Sequence, residues 1–235
     1  MERKHFIVAA ASTLAPLAVP GIAAAAPVPG GTDFIERRAD FDEKAFAAAV
    51  GRPADIRQLW DNVALRPAVM NNIKNTLNSL QFGFGYDPAR ISVVAVNHGP
   101  STSYTYTDYV WQKYRIGDFF DVKDAAGNRI ATNVFYPHKN SDPSTDPSAE
   151  AGVLQDTGIA ALQARGVVFI TCHTAVEEQA RGLIKAGLAA AGMTPADVSG
   201  DILTHLIPGA IVVPGGVGTL AVLQQKYGYS YATVQ

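Results

Sequence analysis

The chemistry in this chain centres on one sulfur atom. Cys172, the only cysteine, lies inside the stretch GVVFITCHTAVEEQARG, from Gly166 to Gly182. Val167, Val168, Phe169 and Ile170 form a short apolar run rich in β-branched residues, the pattern of a parallel strand covered on both faces. Thr174 followed by Glu177 has the spacing of a capping box, so a helix is expected to begin there. Val176, Ala180, Leu183, Ile184 and Leu188 then recur at helical spacing and make one apolar stripe. Cys172 is thereby placed at the carboxyl end of a strand and just ahead of a helix amino terminus. Unpaired N–H groups and the positive end of the helix dipole favour the thiolate, the nucleophilic form of cysteine. A buried and inert thiol, or one paired with another chain, fits the same position. His173 adjoins the sulfur in sequence, and His98 follows the strand-like run ISVVAVN (Ile91 to Asn97). Both histidines are expected at one rim of the sheet. There they would assist proton transfer at Cys172, bind a soft metal together with it, or simply cap turns.

The elements that must hold these residues alternate between the strand and helix patterns. Helical segments are expected near Asp42 to Val50, Ala54 to Val63 and Pro67 to Phe82, the last opened by Pro67 at its first turn. After the Ile91 strand come a helix from Ser101 to Lys113, a small hairpin turning at Asp124 to Asn128, and a Pro/Ser/Asp loop from Tyr136 to Glu150. A helix from Ala151 to Arg165 leads into the Cys172 strand. Beyond its helix follow Thr194-Pro195 opening another helix to about His205, a strand at Ala210 to Val213, a helix from Gly216 to Lys226 and a strand from Tyr229 to Val234. This order implies a three-layer, doubly wound α/β fold on a mainly parallel sheet of about five strands, with an N-terminal helical extension. The divisions expected are residues 1–25 as an export signal peptide, 26–39 as a flexible leader, 40–86 as the helical extension and 87–235 as the α/β domain.

Composition narrows the function classes. The 235 residues are 48% hydrophobic and 17% charged with a formal charge of −2, which suits one globular core and lacks the basic footprint of a nucleic-acid binder. Arg3 and Lys4 precede an Ala-rich apolar run from Phe6 to Ala26 that ends in small residues, as an export signal does. The segment RKHFIV resembles a twin-arginine signal with Lys4 in the second arginine's place. Cleavage after Ala24 or Ala25 would give a periplasmic or secreted protein with no stable membrane insertion, and one cysteine cannot form an internal disulfide. Gly215-Gly216-Val217-Gly218 lacks the spacing and the Lys-Ser/Thr ending of a phosphate loop, and Ser101 and Ser103 lack a nucleophile elbow. No cofactor and no metal ligand set is assigned.

Several stretches carry a family likeness. Cys172-x-x-Ala175-Val176 with Ala180, Arg181 and Gly182, the tail IPGAIVVPGGVGTLAVLQQKYGYSYATV, and the turn Asn97-His98-Gly99 together resemble the DsrE/DsrF-like (YchN-like) family over about Ile91 to Val234. That resemblance implies a DsrE-like sheet and a sulfurtransferase-like persulfide carrier with Cys172 as the sulfur-bearing position. It also implies a sulfur donor or acceptor thiol protein as partner, and a homo-oligomer. His98 and His173 would be its helpers. The alternative is a non-catalytic oligomeric module of the same fold that binds a small ligand or a metal.

Overall fold

The computed structural model describes residues 41–234; the expected export signal and leader lie outside the described residues. Five strands, β1 (Ile56–Asn62), β2 (Ile91–Asn97), β3 (Val168–Cys172), β4 (Ile211–Val213) and β5 (Ser230–Thr233), form one sheet in the order β4-β3-β2-β1-β5. Every pairing is parallel. The three-layer α/β fold follows from the handedness of the crossovers. Steps from β1 to β2, β3 and β4 all move one way across the sheet, which keeps the connecting helices on one face. The step from β4 to β5 runs back across the sheet and carries its helix over the other face.

The two faces can be read from alternate residues. Trp60, Val93, Ala95 and Phe169 pack under α2 (Pro67–Asn78), α6 (His173–Lys185) and α7 (Pro195–Leu203), together with α3 (Asp108–Lys113), α4 (Ile116–Phe119) and α5 (Ile159–Ala164). Leu59, Val94, Val96, Ile170 and Val213 face α1 (Glu43–Val50) and α8 (Gly216–Tyr227). All seven residues of β2 are buried, as a central parallel strand requires.

Pro67 does occupy the first turn of α2, which runs on through a π-helical turn at Ser79–Gly83. The hairpin is present, with Lys123 bridged to Arg129. The segment Ala54 to Val63 is not a helix but holds β1, so the expected helical extension supplies an interior strand of the sheet. Its apolar residues had the weaker claim to periodicity because Arg57 and Asp61 interrupt them. The expected Ser101 to Lys113 helix is a 3-10 turn, Gly99–Thr105, followed by α3. The chain breaks between them because Tyr106 bridges to Leu206 and its side chain is fully buried. The Ala151 to Arg165 helix is likewise split by Asp156, a buried carboxylate that accepts from the amides of Gly158 (2.7 Å), Lys139 (2.9 Å) and Asn140 (3.3 Å).

Candidate functional site at the carboxyl rim

Cys172 ends β3 and is itself the N-cap of α6, which begins at His173. The expected Thr174/Glu177 capping box is not formed. Thr174 instead directs both its amide (3.3 Å) and its hydroxyl (2.9 Å) to the carbonyl of Pro214, and Glu177 is buried. The cap is the sulfur, which accepts the N–H of Ala175 at 3.4 Å and that of Gly216 at 3.1 Å. Two helix amino termini, those of α6 and α8, therefore meet on one sulfur atom, and both bring positive potential to it. Cys172 is only 4% exposed. The turn through Pro214, Gly215 and Gly216, fastened by Thr174, covers it.

Gly216 lets the rim close this tightly. A Cβ built there would lie 2.7 Å from Cβ of His98 and 3.4 Å from Cβ of Cys172, so His98 and Cys172 flank the same backbone unit. On the helix side, the Tyr106 hydroxyl donates to Gln179 Oε1 at 2.7 Å, and Gln179 Nε2 donates to the Gly99 carbonyl at 2.7 Å. Burial pushes the Tyr106 phenol well above its ordinary value, and charge on the neighbouring Cys172 adds to the shift.

The two histidines have different surroundings. His173 is 2% exposed, and its Nδ1 lies 3.7 Å from Glu177 Oε1, one turn along α6. His98 retains 15% exposure of its side chain and holds Nε2 at 2.6 Å from Asp61 Oδ1. The other oxygen of Asp61 accepts from the Tyr231 hydroxyl at 2.6 Å. Asp61 near the end of β1, His98 just after β2 and Tyr231 within β5, on three strands that are neighbours in the sheet, thus make a polar chain from Tyr231 through Asp61 to His98. Asp61 and Tyr231 were not foreseen, because the Asp61 segment reads as a helix in sequence. Once β1 is recognised, Asp61 falls beside the carboxyl end of a parallel strand, the position where open α/β sheets place ligand groups. Among the described residues no group of three or more His, Cys, Asp or Glu side chains is arranged to hold a metal ion.

The fold and rim define an all-parallel α/β protein with a thiol and an imidazole–carboxylate pair at the carboxyl ends of its strands. No family model matches the chain, and no curated protein matches it. Among solved structures it is similar to a protein of unknown function from Methanobacterium thermoautotrophicum, with 12% identity and a TM-score of 0.38, covering 77% of this chain and 100% of that one. That likeness names no activity.

Proposed function

We propose that this protein carries sulfane sulfur as a persulfide on Cys172, the activity that the resemblance to DsrE-like proteins implies. The observation that carries the reading is the pair of backbone N–H groups, from Gly216 and Ala175, directed at one sulfur at the carboxyl rim. Such donors stabilise a sulfur anion, which is both the attacking and the leaving form in sulfur transfer. In loading, Cys172 attacks the outer sulfur of a donor persulfide. A new S–S bond forms on Cys172, the donor's S–S bond breaks, and the donor departs as a thiol with the proton that Cys172 gave up.

Because the sulfur is covered, loading requires the Pro214–Gly216 turn to move from it, and the two Thr174 hydrogen bonds to Pro214 are the latch. With residues 1–25 as an export signal, the carrier works in the periplasm or outside the cell, as a homo-oligomer that exchanges sulfur with a thiol protein. Intact mass measurement after incubation with a sulfane-sulfur donor tests the reading. One added sulfur on the wild type and none on Cys172→Ser is expected. No increment, or the same increment on both, overturns it.

The 4% exposure of Cys172 favours a second reading, in which the sulfur is only the N-cap of α6. Under that reading the thiol of the folded protein resists alkylation until denaturant is added. Under the first reading it is alkylated slowly in native buffer, at a rate set by opening of the turn.

A further inference from the structure

We infer that the sulfur on Cys172 is taken by a thiol acceptor whose proton is removed by His98, with Asp61 as the residue that positions the ring. The inference rests on the persulfide reading of Cys172 and extends it to the acceptor and its base. Its structural ground is the polar chain at the rim. Asp61 is 12% exposed in its side chain and has both oxygens engaged, one by His98 Nε2 and one by the Tyr231 hydroxyl, each at 2.6 Å. A carboxylate so occupied orients its partners. It receives the Nε2 proton of His98 and thereby selects the tautomer with a lone pair on Nδ1. Nδ1 makes no hydrogen bond among the described residues, and the ring is partly open to solvent. Cys172 and His173, by contrast, are sealed at 4% and 2% exposure. His98 is therefore the base at this rim that an incoming molecule can meet.

The backbone fixes His98 as firmly as Asp61 fixes its ring. Its amide donates to the carbonyl of Asn62 at 3.0 Å, its carbonyl accepts from Ser101 Oγ at 2.9 Å, and Gly99 turns the chain at φ +57°. Gly216 packs against its Cβ while donating its own N–H to Cys172. Gly216 therefore lies between His98 and Cys172 at the rim, in contact range of both. The charged and titratable groups around His98 are Asp61 on β1, Tyr231 on β5 behind it and Cys172 across Gly216, with Arg66 lining the small cleft beyond Asp61.

The transfer balances without an oxidant. The acceptor thiol gives its proton to Nδ1 while Asp61 keeps its hydrogen bond to Nε2. The acceptor thiolate attacks the outer sulfur of the Cys172 persulfide, forming one S–S bond as the bond to Cys172 breaks. Cys172 leaves as a thiolate beside the Ala175 N–H, regains the Gly216 N–H as the turn closes, and takes the proton back from the imidazolium.

The test loads the full-length protein with sulfane sulfur and measures its release to small thiols of graded acidity at neutral pH. Aryl thiols are already ionised and need no base, whereas alkyl thiols do. Asp61→Asn and His98→Gln are expected to load normally and to release sulfur to alkyl thiols about a hundredfold more slowly, the lower end of what a positioned base contributes. Release to aryl thiols should stay close to wild type. A loss equal across the series, or no loss, overturns the assignment of His98 and Asp61 while leaving the persulfide reading intact. Failure of the wild type to load overturns that reading and this inference with it. If His98→Gln fails to fold, Asp61→Asn, which keeps the size of the side chain while removing its charge and exchanging one acceptor oxygen for an amide donor, decides alone.

Discussion

The two histidines beside the sulfur belong to different environments. His173 is joined to Cys172 by a peptide bond, yet it is turned along α6 toward Glu177 and closed off from water. His98 directly follows another strand, β2, and it reaches the sulfur's surroundings through Gly216 and keeps an exposed edge. Neighbourhood along the chain put a histidine into the core. Neighbourhood across the sheet put one at the rim, because parallel strands bring all their carboxyl ends to the same edge. The sulfur side is thus closed and the His98 side partly open to solvent, with Gly216 packed between them.

The strongest way to break that division is to force the joint apart. Gly216→Ala places a methyl group 2.7 Å from the Cβ of His98, a backbone-anchored carbon that cannot swing aside. Overpacking of this kind costs about 1–3 kcal/mol, and it should lower the denaturant midpoint and displace His98 and Cys172 together. Gly215→Ala is the control in the same turn, since its nearest contact is Thr174 Oγ1 at an ordinary 3.7 Å. It should stay within about 0.5 kcal/mol of wild type. Equal stability of the two variants would remove Gly216 as the point where the sites meet.

The sulfur's structural role gives the next effect. Cys172→Ala leaves the amides of Gly216 and Ala175 without their buried acceptor, at a cost of about 1–3 kcal/mol. Cys172→Ser supplies an oxygen acceptor at the N-cap and should be the more stable of the two in urea unfolding. If the alanine variant is the more stable, the sulfur is a packed hydrophobe with incidental contacts, and the closed side is held by something else.

What could be read in the sequence divides along the same line. The strand ending at Cys172, the helix after it, the Pro67 and Thr194-Pro195 helix starts and the final α8–β5 segment all follow from apolar periodicity and turn residues, and the structure contains them. A capping box is present too, but at Thr194 and Asp197. At Cys172 the same spacing misled, because a cysteine sulfur took the cap and freed Thr174 to hold the Pro214 turn. The open side was hidden by its own chemistry. Arg57 and Asp61 break the apolar run of β1 because Asp61 serves His98 and Arg57 donates to the carbonyls of Val50 and Arg52, so the segment resembles an amphipathic helix. Tyr231 lies on an edge strand, where its exposed ring gives no periodic signal.

The smallest expected effect sharpens the open side without touching the sulfur. The hydrogen bond to Asp61 holds the Tyr231 phenol above its ordinary value, with slight burial and the carboxylate's charge acting in the same direction. Because the folded protein keeps this proton longer than the unfolded chain does, the associated stability is present below the unfolded phenol's pKa of about 10 and is lost as pH rises through the folded value. Asp61→Asn removes the charge, so Tyr231 should titrate closer to pH 10 in the variant, as followed by the NMR shift of its ring carbon. Tyr231→Phe should leave His98 in place, since the Asp61 to His98 contact uses the other carboxylate oxygen. If Tyr231 titrates identically in wild type and Asp61→Asn, the polar chain does not persist in solution and His98 loses its orienting partner.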